Sequence, residues 1–225
     1  MAALLSAAKG IDLKCFLDHV YADDLSVKSC TVQDLVINSQ YEDITSVNGA
    51  TELTDFESVV IEGNIVNYMP KGLATFFPQL ISLRIFNSQL REVHQEDFAS
   101  LRNLTYLNFD NNLLEMFDGD LFEFNLELQE IDFNSNQIKY IGTEFMRYLT
   151  KLKRANFQDN ICTSDYFPNY YEDAARMAEV IKSKCPSPED IRKIFCSSDI
   201  ENLNKQIDEL KAELQLKIQQ HKEIY

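Results

Sequence analysis

The feature that most constrains this chain is a nine-residue phrase, LTYLNFDNN, from Leu104 to Asn112. It carries leucine at the first and fourth places, an apolar residue at the sixth and asparagine at the ninth. The phrase recurs at a step of 24 residues. Counted at that step, first places fall at Val32, Phe56, Leu80, Leu104, Leu128 and Leu152. Fourth places are Leu35, Val59, Leu83, Leu107, Ile131 and Ala155, and sixth places are Ile37, Ile61, Ile85, Phe109, Phe133 and Phe157. Ninth places are Gln40, Asn64, Ser88, Asn112, Asn136 and Asn160. The first copy is the most degenerate, with Glu42 at the eleventh place where Val66, Leu90, Leu114 and Ile138 follow. A fixed period of this length means stacked units, each needing a neighbour to cover its apolar side.

The leucine and asparagine places are those of a leucine-rich repeat. The expected fold is an α/β solenoid, a horseshoe whose concave face is a parallel sheet, with cysteine-containing caps at both ends and a C-terminal helix. Fourth and sixth places lie two apart on a strand and share its inner face. The ninth-place side chains of Asn64, Asn112, Asn136 and Asn160 suit the bonding of backbone groups that the turn leaves unpaired. The second half of each repeat has a looser pattern: Met69, Leu73, Phe76; Val93, Phe98, Leu101; Phe117, Leu121, Phe124; Ile141, Phe145, Leu149. That spacing suits short helical turns packed on the convex side.

The five cysteines, Cys15, Cys30, Cys162, Cys185 and Cys196, bracket the repeats. Solenoid ends need covering, and disulfides there need an oxidising compartment. Residues 11–31 read as an N-terminal cap, a hairpin closed by Cys15–Cys30. Residues 32–161 hold the six repeats. Residues 162–195 read as a C-terminal cap, with a helix over Glu172–Lys184, a Cys162–Cys185 bond and a second short helix from Pro188. Cys196 is left over, and its pairing with Cys162 or Cys185 stays an alternative. Residues 196–225 carry Ile200, Leu203, Ile207, Leu210 and Leu214 at steps of three and four, the seam of a short coiled coil. Residues 1–10 look like the end of a secretory signal. No apolar run is long enough to cross a membrane.

Asn64–Phe76 and Leu104–Leu121 resemble repeats of extracellular animal leucine-rich repeat proteins. LKRANFQDNIC, from Leu152 to Cys162, resembles the start of their C-terminal caps. Together with the tail, the chain is similar to the secreted leucine-rich immune proteins of mosquitoes and related insects. That resemblance implies an extracellular recognition protein, in innate immunity, and an interchain bond at Cys196 beside the coil.

Lys and Arg total 21 against 36 Asp and Glu, a net charge of -15. Such a chain repels nucleic-acid phosphates. His19, His94 and His221 are scattered, and neither a Cys-x-x-Cys pair nor a glycine-rich phosphate loop is present. The sequence therefore implies no enzyme, metal or cofactor; Asp118-Gly119-Asp120 reads as a turn. The outward residues of the strands form the candidate binding surface. Its columns are Asp34, Ser58, Ser82, Tyr106, Glu130, Arg154; Val36, Val60, Arg84, Asn108, Asp132, Asn156; and Asn38, Glu62, Phe86, Asp110, Asn134, Gln158. Arg84, Phe86, Tyr106, Asn108, Asp110, Glu130 and Asp132 are the candidates for holding a protein or glycan ligand, since exposed aromatics beside charge favour protein contacts. Asn103-Leu104-Thr105 is a glycosylation sequon. Alternative readings are an adhesion or scaffold fragment of a receptor ectodomain, and a cytosolic adaptor.

Overall fold

The computed structural model describes residues 9–22, 25–49, 53–168 and 170–193, with residues 202, 205–207, 209 and 210 of the tail. Residues 1–8, Cys196, Ile200, Leu203 and Leu214 lie outside the described residues. The chain forms two compact units, Met1–Ser187 and Pro188–Tyr225. In the second, residues 188–193 and 205–207 are helical, and Ile207 and Leu210 are exposed. The first unit is a leucine-rich repeat solenoid.

It opens with β1 (Lys9–Ala22) and β2 (Leu25–Val32), an antiparallel hairpin bridged by the Cys15–Cys30 disulfide. β1 begins at Lys9, two residues before the expected cap. After β3 (Val36–Ile37), β4 (Glu42–Asn48) returns to pair parallel with β1. The repeats then supply β5 (Ser58–Glu62), β6 (Ile65–Val66), β7 (Ser82–Phe86), β8 (Tyr106–Asn108), β9 (Met116–Phe117), β10 (Glu130–Asp132), β11 (Tyr140–Ile141) and β12 (Arg154–Asn156). Antiparallel β13 (Tyr166–Phe167) ends a nine-stranded sheet of order β13-β12-β10-β8-β7-β5-β2-β1-β4.

The pairing corrects the register of the first repeat. β2 aligns Cys30 with Val59 and Val32 with Ile61, and β3 aligns Ile37 with Val66. Val32 is therefore a sixth place, not a first, and Leu35, not Gln40, stands at the ninth. The Leu35 N–H donates to Asn64 Oδ1 across 29 residues, where Ser88 donates to Asn112 Oδ1 across 24. The first step is thus five residues longer, and the excess follows β3, in the segment holding β4. The two registers look alike in sequence because places six, nine and eleven have the same spacing, three then two, as places one, four and six. With leucine at the ninth place, the phrase imitates itself five residues late.

Backbone geometry gives the same register. The eighth place is left-handed in all six repeats: Asp34 (φ 57), Gly63 (φ 68), Asn87 (φ 53), Asn111 (φ 51), Ser135 (φ 53) and Asp159 (φ 54). Glycine adopts this region freely, and asparagine and aspartate more readily than other residues. That turn drops the ninth side chain inward. Asn136 shows the result. Its Oδ1 accepts from the Leu114 N–H at 3.1 Å, and its Nδ2 donates to the carbonyls of Phe109, Phe133 and Asn134 at 2.8 to 3.1 Å. Asn64, Asn112 and Asn160 bond the preceding repeat in the same way. Ser88 has no amide, so its hydroxyl reaches only the carbonyls of Ile61 and Phe86 while accepting from the Asn64 N–H.

The core runs unbroken between strands and convex turns. Phe133 is its centre, with ring centroids of Phe117, Phe157, Phe109 and Phe122 at 4.6, 5.6, 6.0 and 6.4 Å. Two convex positions differ from expectation. Phe77 and Phe122 are buried, while Phe76 and Phe124 are only half-buried. The convex segments are too short for helical spacing: α1 (Leu73–Phe76) and α2 (Gln95–Phe98) are single turns, and Leu121 and Phe122 lie in a run of turns that sends adjacent residues inward. Asn125 beside them is fully buried and donates to the carbonyls of Phe98 and Leu101. The C-terminal cap carries α3 (Tyr170–Lys184), which buries Met177 and Ile181, and the Cys162–Cys185 disulfide just beyond it. Lys184 Nζ donates to Asp165 at 2.7 Å, and this bond, with that of the Thr163 hydroxyl, lowers the Asp165 pKa.

Candidate functional site

Strands β7, β8 and β10 carry the candidate residues because in-register pairing stacks like places of successive repeats. Arg84 lies opposite Asn108, and Asn108 opposite Asp132; Tyr106 lies opposite Glu130. Third, fifth and seventh places point away from the core, so Arg84, Phe86, Tyr106, Asn108, Asp110, Glu130 and Asp132 share one face, all half-buried. Successive strands are about 4.8 Å apart, close enough for each side chain to meet its neighbour's.

The contacts are specific. The Arg84 guanidinium stacks on the Tyr106 ring at 4.7 Å, a cation–π contact. Glu130 is bonded by Arg154 of the next repeat. Arg154 thereby gains a raised pKa through that bond, although partial burial works against it. Asp110 accepts from Asn134 Nδ2 at 2.9 Å, and Asp132 from Asn156 Nδ2 at 3.4 Å. Burial pushes the Asp132 carboxyl above its ordinary pKa, against the bonds from the Asn134 backbone and Asn156 and with Asp110 adding repulsion.

Three of these side chains also shape the strand ends. Asn108, Asp132 and Asn156 each accept, through Oδ1, the N–H two residues on, from Asp110, Asn134 and Gln158 at 2.9, 2.9 and 3.1 Å. Such i to i+2 bonds compete with strand continuation and favour a turn. Asn108 and Asp132 therefore help end their strands as well as facing outward.

The residues enclose a depression of about 220 Å³ lined by Tyr106, Glu130, Asp132, Arg154, Asn156 and Tyr166. Tyr166 stands outside the repeat columns. It comes from antiparallel β13, whose pairing of Tyr166 with Asn156 brings it to the face. No periodic count reaches it; only the cap's chain reversal places it there.

The other end of the face differs. With the corrected register, its third places are Ser29, Ser58 and Ser82, all fully buried, and its first-repeat fifth and seventh places are Thr31 and Gln33. Asp34, Val36 and Asn38, expected on this face, belong to the turn and β3 instead. Among the repeat strands the large outward side chains are thus concentrated over repeats three to six, while at the other end exposed Phe16 of β1 lies opposite Thr31. Asn103 is exposed in a turn between Leu101 and Leu104. Among the described residues, no group of His, Cys, Asp or Glu side chains has the arrangement of a metal site, and no helix is long and apolar enough to cross a membrane.

No family model and no curated protein matches this chain. Among solved structures it is similar to the Toll–Spatzle complex, a hub in Drosophila development and innate immunity, at 18% identity and TM-score 0.46 over 53% of this chain and 17% of that chain. It is also similar to the APL1 leucine-rich repeat domain, at 16% identity and TM-score 0.46 over 70% of this chain and 45% of that one. The match therefore takes in less than half the length of either chain. The repeat fold itself rests on the ladder described above.

Proposed function

We propose that this chain is a secreted, non-catalytic recognition module that holds a protein ligand on the outward face of repeats three to six. The observation that supports it most is the clustering of Tyr106, Glu130, Arg154 and Tyr166 around one open depression, with Arg84 stacked on Tyr106 beside it. Tyrosine and arginine are the residues that most often anchor protein interfaces. Two disulfides agree with an oxidising compartment. The carboxylates favour binding over catalysis, since Glu130 is engaged by Arg154 and Asp110 and Asp132 by asparagine amides. A role in innate immunity, a glycan at Asn103, and pairing with a second chain through residues 196–225 and Cys196 extend the same reading.

The test is retention of secreted partners on immobilised chain. A Tyr106→Ala, Glu130→Lys variant should lose a partner that an Arg102→Ala variant keeps, since Arg102 lies away from the face, over the Phe124 ring. Equal retention by both variants would remove the face from consideration. Migration on non-reducing against reducing gels reports on Cys196: one monomer band in both rules out the interchain bond.

A further inference from the structure

We propose that Asn48 is a site of spontaneous deamidation and that it converts before the asparagines followed by serine within the repeats. Asn48 is exposed at the end of β4, the outermost strand of the sheet, and the next residue is Gly49. The reaction is intramolecular. The Gly49 backbone nitrogen attacks Asn48 Cγ, a new C–N bond forms, and the carboxamide nitrogen leaves as ammonia with the displaced proton. Water then opens the five-membered succinimide at either carbonyl, leaving aspartate or isoaspartate. One ammonia is exchanged for one water, and nothing is oxidised or reduced.

The step needs an unengaged backbone nitrogen, little crowding on the following residue, and a carboxamide free to turn. Gly49 has no side chain, and among the described residues its N–H has no hydrogen-bond partner. Its φ of +98° is one that other residues rarely adopt. Asn48 makes no side-chain hydrogen bond among the described residues.

The three Asn-Ser pairs within the described residues have both reactants held. At Asn38-Ser39 the Ser39 N–H donates to Glu42 and the Asn38 carboxamide accepts from Asn67. At Asn87-Ser88 the nitrogen donates to Asn112 and the carboxamide accepts from Asn111. At Asn134-Ser135 the nitrogen donates to the Gln158 carbonyl at 2.9 Å and the carboxamide donates to Asp110 at 2.9 Å. Each of those pairs is thus held through both groups, whereas the Asn48 carboxamide and the Gly49 N–H have no such bond among the described residues.

Conversion would be felt locally. A Cβ placed on Gly49 would lie 2.3 Å from the Cys15 carbonyl oxygen, so the chain passes hard against the disulfide-bearing strand. Isoaspartate adds a methylene to the main chain at that point and a negative charge beside it. The lengthened segment would lift from Cys15 and loosen the Lys14–Asn48 pairing at the sheet edge.

The test is incubation of the folded chain at mildly alkaline pH, followed by peptide mapping and enzymatic isoaspartate labelling. Residue 48 should acquire the mass change of amide to acid before residues 38, 87 and 134, with isoaspartate as the main product. The first acidic species on a charge-resolving column should vanish in Asn48→Gln, whose larger ring closes slowly. In the urea-unfolded chain the three Asn-Ser pairs should gain on their folded rates. Earlier conversion at any of those pairs in folded protein, or an unchanged first acidic species in Asn48→Gln, overturns the proposal.

Discussion

Repeats one to three and repeats four to six share one strand ladder but are held together by different chemistry. In the first group the sixth places are Val32, Ile61 and Ile85, the ninth places Leu35, Asn64 and Ser88, and the outward third places Ser29, Ser58 and Ser82. In the second group the same places carry Phe109, Phe133, Phe157; Asn112, Asn136, Asn160; and Tyr106, Glu130, Arg154. The first group has one incomplete asparagine ladder and relies on a disulfide-bonded hairpin at its open end. The second has an uninterrupted ladder, a phenylalanine core and ion pairs between repeats, Lys139–Glu115 at 2.9 Å and Lys151–Glu127 at 2.5 Å, which add little at the surface. The contrast separates construction from recognition. Where the ladder is most regular, the outward places carry large, varied side chains, because the scaffold beneath them is secured by other residues.

The largest expected effect is at the aromatic centre. Phe133→Ala should cost about 3–5 kcal/mol, as for a buried phenylalanine, against about 1 kcal/mol for Ile61→Val in the aliphatic group. Urea midpoints measure both, and equal losses would erase the distinction between the two cores. Leu35→Ala comes next, at about 2–3 kcal/mol for a buried leucine near a solenoid end, while exposed Gln40→Ala should be silent. A costly Gln40 would restore the uniform 24-residue count and overturn the longer first step, since Leu35 faces inward in either register. Asn136→Ala should cost about 2 kcal/mol, because it leaves buried backbone groups unpaired, and Ser88→Ala about 1 kcal/mol. If Ser88 proves the dearer, the ladder of the first group is stronger than its bonds indicate.

The smallest effect concerns Asp132. Its raised pKa means the folded state favours the protonated acid. The group therefore contributes stability at pH values below its unfolded pKa, and that contribution is lost as pH rises through the elevated folded value. Asp132→Asn should remove this loss, giving slightly higher stability at neutral pH and a difference that disappears in acid. Asparagine suits the site, since Asn108 and Asn156 occupy it in the flanking repeats with the same strand-end bond. Thermal melts across pH would show it; a variant less stable at neutral pH would mean the carboxylate is wanted there.

The strand places of repeats two to six were legible because inward and outward residues alternate at a constant step, and the Cys15–Cys30 bond because those two cysteines alone precede the repeats, whereas three follow them and the structure selects Cys162–Cys185. The ligand candidates came from the same count, which is why Tyr166, supplied by a strand of opposite direction, escaped it. The eighth place carries a signal readable in sequence: Asp, Gly, Asn, Asn, Ser and Asp in turn are residues suited to a left-handed turn.

By itself the sequence determined the solenoid, its period and the inward side chains of five repeats, because local spacing dictates which residues can share a strand face. Only the tertiary structure decided the register of the first repeat, the inward turn of Phe77 and Phe122, and the membership of the outward cluster. Each of those depends on how a segment pairs with a neighbour distant in sequence: β2 and β3 with β5 and β6, convex turns with one another, β13 with β12. Spacing along the chain cannot encode such pairings when an insertion or a reversal intervenes.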